Sequence, residues 1–522
     1  MTLGERIQNM RKAMGLSQEE LAERIGVSRQ SVSKWENDAA LPDTDKVLQL
    51  SRLFGVSADA LLTGSNAAPQ AAEEPHSDPP AENAAAKESG SAGRNPAKKS
   101  AIRKILAAVL AVAALGLAVG AALLIKNLPA KEKTPEPPRT YPYVLVHGMG
   151  GWGDGSGMNT AAKYWGADTG DLAQFLRDAG YEVYTPGVGP ISSAWDRACE
   201  LYAVLTGTRV DYGAAHAAAH NHARYGRNYA APMVENWDAE HKLNLVGHSF
   251  GGETVRLLAS LLTYGDAAET ANGAKDISPL FTGDKGEWIH SVTALCSPHN
   301  GSTLACVIDS LGGTVGIGSA TELIATLCFT AAGIANPLNG VYDFMLDQFG
   351  LTEINGGLPE ITAALEPILS RGTDHAGCDL SPDGAAALNE KIQIDPYAYY
   401  FSYAYRTTEP GSILYNERPR GDTLPALIPF ALAMGSWQGK TPGGITVDSA
   451  WLPNDGLVNV ISAEYPFGDP HTVLGEDAPE KGVWSVAPLK TGHHGTVIGL
   501  GANAEETHAF YTNLFQMIDG CE

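Results

Sequence analysis

Residues 243–262, LNLVGHSFGGETVRLLASLL, decide how this chain is read. An apolar run, Leu243 to Val246, leads into Gly-His-Ser-Phe-Gly, and apolar residues then return at helical spacing at Val255, Leu258 and Leu262. Strand, sharp turn and helix in direct succession hold a G-x-S-x-G serine exposed. The glycines at 247 and 251 permit the turn, and Ser249 sits at the start of the helix, where the dipole and free N–H groups favour a developing anion. Glycine and serine are common, so the five letters alone carry little; between such a strand and such a helix they mark a nucleophile.

A serine that attacks a carbonyl needs a cradle for the oxyanion. YPYVLVHGMGGWG at 141–153 reads as a buried parallel strand opening into a loop. Its Met149 N–H, paired with that of Phe250, is the expected donor pair, and Gly148 and Gly150 let the backbone approach. The serine also needs a base and the base a carboxylate, in the chain order Ser, Asp, His. Spacing leaves Asp448, Asp455 and Asp469 in competition, and equally His471, His493, His494 and His508.

From about Pro142 to Asp519 the chain resembles the thermoalkalophilic bacterial lipases and their staphylococcal relatives. The match runs through LVHGMGGWG, KYWG, GYEVYTPGVGPISSAWDRACELYA, VDYGAAHAAAHNHARYGR, SPHNGSTL, DLSPDGAAALN, NDGLVN and the KGVW before the final histidine pair. The resemblance implies an α/β-hydrolase fold, a doubly wound sheet with a lid and a zinc-binding extra subdomain. It implies hydrolysis of lipid or other carboxylic esters, as by a triacylglycerol lipase, and a triad of Ser249, Asp455 and His494. The lid would fall between Leu304 and Asn339, where TELIATLCFTAAGIA has helical spacing; an ordinary core helix would show the same periodicity.

Asp196, His216, His220 and His222 bring imidazoles together with a carboxylate, a set that suits zinc and equally fits a polar helix face. The resemblance implies a structural zinc on Asp196, His216, His222 and Asp374, with no ligand role for His220. The family's acidic calcium ligands fall on Thr496 and Gly501, neither a carboxylate, so calcium is not carried over.

At the other end, SQEELAERIGVSRQSVSKWEND at 17–38 contains two helix starts, Ser17 with Glu20 and Ser28 with Ser31, and Gly26 between them to turn the chain. This segment resembles the helix-turn-helix domains of Cro and the phage repressors, and DTDKVLQLSRLFGVSADALL fits their last helices. The resemblance implies DNA binding, with Arg29, Gln30 and Lys34 toward base edges and Gln18 toward phosphate. Trp35 and Leu50 are expected in the core.

Composition divides the whole: 1–64 helix-turn-helix domain, 65–100 disordered linker, 101–126 transmembrane helix, 127–140 Pro-rich linker and 141–522 hydrolase domain. The linker has hardly a large apolar side chain to offset ordering entropy. Ile105 to Ile125 runs 21 residues without a charge, the length that crosses a bilayer core. Lys98, Lys99, Arg103 and Lys104 precede it, whereas Glu132 and Glu136 dilute the lysines after it, which favours a cytoplasmic N-terminus and a hydrolase domain outside, in a single-pass cell-membrane protein. The net charge of −23 excludes binding to nucleic acid through overall charge, so any DNA contact is local. Six scattered cysteines form no CxxC pair and assign no bridge. The same fusion also fits a membrane-bound regulator whose outer domain senses lipid.

Overall fold

The computed structural model describes residues 3–25, 27–37, 44–54, 56, 141–271, 276–312, 342–351, 363–368, 372–411 and 416–521. It divides into two compact units, Met1–Leu128 and Pro129–Glu522. Gly26, the linker, the apolar span over 101–126, the Pro-rich stretch and, from residue 313 on, the expected lid between Leu304 and Asn339 lie outside the described residues. Among the described residues no helix is long and apolar enough to cross a membrane.

The first unit contains helices Leu3–Ala13, Gln18–Arg24, Arg29–Glu36 and Thr44–Phe54. Ser17 and Glu20 cap the second reciprocally: the Glu20 carboxylate accepts from the Ser17 N–H at 2.7 Å and the Ser17 hydroxyl from the Glu20 N–H at 3.1 Å. Ser28 caps the third helix through the Ser31 N–H. Ile7, Leu21, Ile25, Val32, Trp35, Val47 and Leu50 form the core. Beside it, buried Glu36 is gripped by the Arg11 guanidinium, whose Nε and Nη2 donate at 2.5 and 2.9 Å. The pairing joins the first helix to the third, and nothing in the local sequence pattern announces it.

The strands of the second unit include β1 Tyr143–Val146, β2 Val183–Tyr184, β3 Arg209–Asp211, β4 Tyr225–Asn228, β5 Leu243–His248, β6 Ile289–Leu295, β7 Tyr399–Tyr403, β8 His471–Val473 and β9 Trp484–Val486. Seven make one sheet in the order β8-β9-β7-β6-β5-β1-β2, with every pairing parallel. Parallel strands need crossovers that cover both faces, which is why β1, β5 and β6 are buried along their whole length. The order reverses at β1, and loops leaving the C-terminal ends of strands beside such a reversal frame a crevice. Ser249 follows β5 and the His147–Gly151 loop follows β1, so the fold carries both to one end of the sheet.

A small antiparallel pair, β3 with β4, stands apart from this sheet and encloses the helix Ala214–His220. The helix has no side-chain cap of its own. The Glu269 carboxylate supplies one, accepting from the N–H groups of Ala215 and His216 at 3.0 and 2.7 Å. All five described cysteines are free thiols.

Candidate active site and metal cluster

Ser249 has a left-handed backbone, φ 54°, and its N–H donates to the Leu295 carbonyl at the end of β6. Holding a non-glycine residue there costs energy that the surrounding structure must supply. Gly251 supplies room: a Cβ at that position would lie 2.2 Å from the Val146 carbonyl oxygen, so the helix Gly251–Tyr264 packs against β1 only with glycine there. Gly148 does the same from the other side, since its Cβ would stand 2.6 Å from that of Ser249. The loop after β1 is thereby pressed against the serine. Neither Met149 N–H nor Phe250 N–H donates to a protein acceptor among the described residues.

Of the competing acids and imidazoles, the structure brings one pair together. His494 Nδ1 lies 2.8 Å from Asp455 Oδ2, and the His494 N–H donates to the Asp455 carbonyl at 2.9 Å. The other carboxylate oxygen of Asp455 accepts from the N–H groups of Leu457 and Val458. Asp448 instead caps a short turn at Ala450, and Asp469 accepts from the Trp484 indole. His471 stacks on Tyr465 and His508 on Phe175. His493 is buried, and its Nδ1 meets no hydrogen-bond partner among the described residues. Ser249, Met149 and His494 line one cavity of about 430 Å³, otherwise walled largely by apolar side chains such as Trp152, Leu304, Ile308, Leu427, Phe430 and Ile498.

Sequence reasoning missed what lies behind these residues. Arg197 is wholly buried and donates to the carbonyls of His147 and Gly189 at 2.5 and 2.7 Å and to the Thr254 hydroxyl at 2.8 Å, tying the loop after β1 to the helix after Ser249. Burial, aided by Arg197, holds the His147 imidazole neutral, its pKa lowered to about 3. Cys296 stands with Asp455 and His494, their ligand atoms within 4.8 Å of one another, and burial and the Asp455 charge keep its thiol protonated. Both residues are ordinary by type and position in the sequence; only their neighbours make them notable.

Asp196, His216, His222 and Asp374 converge with ligand atoms within 4.8 Å of one another. His216 Nε2 lies 3.3 Å from Asp196 and 3.2 Å from Asp374, and His222 Nε2 lies 3.2 Å from Asp374. Among the described residues, one atom of each is buried without a hydrogen-bond partner: Asp196 Oδ1, His216 Nε2, His222 Nε2 and Asp374 Oδ2. The His222 Nδ1–H donates to the Ala223 carbonyl, which turns the Nε2 lone pair inward, and Asp196 Oδ2 accepts from the Gln348 amide at 2.7 Å. Two imidazoles and two carboxylates so oriented fit a divalent cation. The His220 ring lies tilted beside that of His216, centroids 4.5 Å apart, but is outside the cluster.

Thr496 and Gly501, where the resemblance would put acidic calcium ligands, carry no carboxylate. Thr496 Oγ1 accepts from the His493 N–H at 3.0 Å, and Gly501 offers no side chain. The loop is instead held by protein bonds: Gly501 N–H to the Asp168 carboxylate, Asp168 N–H to the Gly499 carbonyl and Gly166 N–H to the Ile498 carbonyl.

In the first unit Arg29, Gln30 and Lys34 are exposed on one helix, whereas Gln18 is half-buried and donates its amide to Glu36 at 2.9 Å.

Residues 139–519 match the family described as "Lipase-like, C-terminal domain", and residues 7–61 the one described as "Helix-turn-helix". Lipase 1 of Staphylococcus aureus (strain NCTC 8325 / PS 47) is 35% identical over 354 residues, 67% of this chain and 49% of that protein. The chain thus spans about half the length of the curated relatives it matches. The second unit is similar to the structure of lipase 1 from Pelosinus fermentans, 37% identical at a TM-score of 0.63, covering 74% of this chain and 100% of that one. It is also similar to EstA from Clostridium botulinum, 33% identical at a TM-score of 0.65, covering 75% and 92%.

Proposed function

Because the chain belongs to the family of lipase-like C-terminal domains, which takes in residues 139–519, we propose that it is a serine-dependent carboxylic ester hydrolase of the triacylglycerol lipase type. The contact of His494 with Asp455, beside a cavity that Ser249 also lines, carries this reading.

In it, Asp455 holds the His494 Nδ1–H, leaving Nε2 to take the proton as Ser249 Oγ bonds to the ester carbonyl carbon. The carbonyl π-electrons move to oxygen, and the N–H groups of Met149 and Phe250 receive the charge. As the intermediate collapses, the ester C–O bond breaks and the alcohol leaves with the proton from His494. Water then repeats the sequence on the acyl-serine, returning the acid and free Ser249. The apolar wall of the cavity suits an acyl chain.

Zinc is the cation this reading places on Asp196, His216, His222 and Asp374, where it would hold the β3–β4 excursion to the main domain. The fit rests on four inward, unpartnered atoms. When bound it supplies structural cross-linking.

The same proposal has the segment 101–126 span the cell membrane once, with the hydrolase domain outside and the helix-turn-helix domain in the cytoplasm, bound to DNA through Arg29, Gln30 and Lys34. The uncharged run supports the span and the exposure of the three side chains supports the contact. Gln18 has its amide engaged by Glu36 and is proposed only as a lesser phosphate contact.

The test is hydrolysis of p-nitrophenyl esters of short and long acyl chains by the full chain and by Ser249→Ala. Turnover that disappears with Ser249 supports the reading. No turnover by a folded protein, or equal turnover by the variant, removes it.

A further inference from the structure

Between the two glycines of the G-x-S-x-G turn stands His248, 2% exposed, and next to it Tyr164, 9% exposed. Neither has a part in the proton transfers just described. Their hydrogen bonds nevertheless form one chain. The Gly148 N–H donates to the Tyr164 phenolic oxygen at 2.8 Å. That oxygen lies 2.6 Å from His248 Nδ1, and His248 Nε2 lies 3.1 Å from the His494 carbonyl oxygen.

The direction of every bond follows from its ends. An amide can only donate and a carbonyl oxygen can only accept. The His494 carbonyl therefore requires a hydrogen on His248 Nε2. The phenol has one hydrogen, and a neutral ring with Nε2–H offers Nδ1 to receive it. A doubly protonated imidazole would donate from Nδ1 to the phenolic oxygen and leave the phenolic hydrogen without this acceptor. Burial and the nearby His494 push His248 well below the ordinary imidazole pKa, so the neutral ring is the one this environment favours.

We propose that His248, through Tyr164, is a positioning residue that fixes the backbone of His494 relative to the loop carrying Met149, using a single neutral tautomer. Gly148 is one residue before Met149, and His248 one before Ser249, so the chain spans all three working parts of the site: oxyanion loop, nucleophile turn and base. Two of its three bonds join residues 84 and 246 apart in sequence, which no local turn could hold in register. A base displaced by about 1 Å costs on the order of a hundredfold in rate, so a buried tie of this kind acts on turnover more than on binding.

The inference rests on the hydrolase reading, and its test separates the two. The full chain is compared with Tyr164→Phe, His248→Leu and the double variant on one p-nitrophenyl ester. Each single change is expected to lower kcat about tenfold or more with KM held within about twofold. The double variant is expected to lose no more than the worse single one, because contacts in one network are not additive. Losses that multiply, or a kcat for Tyr164→Phe within about twofold of the parent, overturn the tie while leaving hydrolysis intact. Nitrogen NMR of histidine-labelled full chain needs no activity at all. A His248 ring neutral with Nε2–H from about pH 5 to about pH 8 supports the tie, and an Nδ1–H or charged ring in that range overturns it.

Discussion

Asp455 gives one oxygen to the His494 ring at 2.8 Å and the other to its own turn, accepting from Leu457 and Val458 at 2.9 and 2.7 Å. A carboxylate fixed on both sides cannot swing, and the imidazole it faces is fixed with it. The NDG turn at 454–456 is therefore a holder for His494 as much as a source of charge.

Asp455→Asn tests that relationship. The amide keeps the volume of the acid, but its NH₂ group, once the turn has claimed the oxygen, presents a donor to Nδ1 and selects the tautomer with Nε2–H. Nε2 can then no longer accept the serine proton. The expected loss in kcat on a p-nitrophenyl ester is about 10⁴-fold, with KM little changed. A loss under about tenfold would contradict the assignment of Asp455.

Gly251→Ala places a methyl where 2.2 Å separates it from the Val146 carbonyl oxygen, so strand and helix must part. Overpacking of this kind costs about 1–3 kcal/mol or more. A fall in thermal midpoint together with lost turnover is expected. An alanine variant as stable as the parent would mean that the helix does not approach β1 this closely.

The metal cluster is expected to hold one zinc per chain by atomic absorption and to lose it to a chelator. Gln348→Ala removes the amide that orients Asp196 without touching a ligand. A partner of this kind is worth about 10–100-fold in metal affinity. Unchanged affinity in that variant would show Asp196 to be oriented without Gln348, and no zinc in the purified parent protein would remove the metal proposal.

Glu253, one turn past Ser249, is 1% exposed, and among the described residues no side-chain hydrogen-bond partner meets either of its carboxylate oxygens. Burial raises its pKa from 4.5 to about 7. A raised carboxyl pKa opposes folding as pH climbs, because the unfolded chain releases its proton first; below about pH 4.5 the two states bind it alike, and above about pH 7 the penalty is complete. Its size is on the order of 3 kcal/mol. Glu253→Gln is therefore expected to raise the thermal midpoint clearly at about pH 8 and little at about pH 5. An equal effect at both would place Glu253 in an environment where it ionises freely.

Some of this was legible residue by residue. The strand, turn and helix around Ser249 are local, and backbone constraints within a few residues leave glycine little competition at 247 and 251. The reciprocal Ser17–Glu20 cap is local for the same reason, and so is the core face that buries Trp35 and Leu50. The apolar run at β1, and that at β5 broken before its glycine only by Asn244, announced buried parallel strands because no face of such a strand meets water.

The rest depended on which distant segments meet. Spacing left three aspartates and four histidines open, and residues 39 apart were joined at Asp455 and His494 only by the strand order that sets their loops side by side. Arg197, Cys296, Tyr164 and Gln348 have no local signature, since each gains its role from a distant partner: Arg197 from His147, 50 residues off, Tyr164 from His248, 84 off, Gln348 from Asp196, 152 off, and Cys296 from Asp455 and His494. The nucleophile turn, the sheet's buried strands and the helix-turn-helix caps could be read from the residues alone, because they are settled by interactions within a turn or two of backbone. The partner of each imidazole could not, because that choice belongs to packing between segments whose separation the chain itself does not fix.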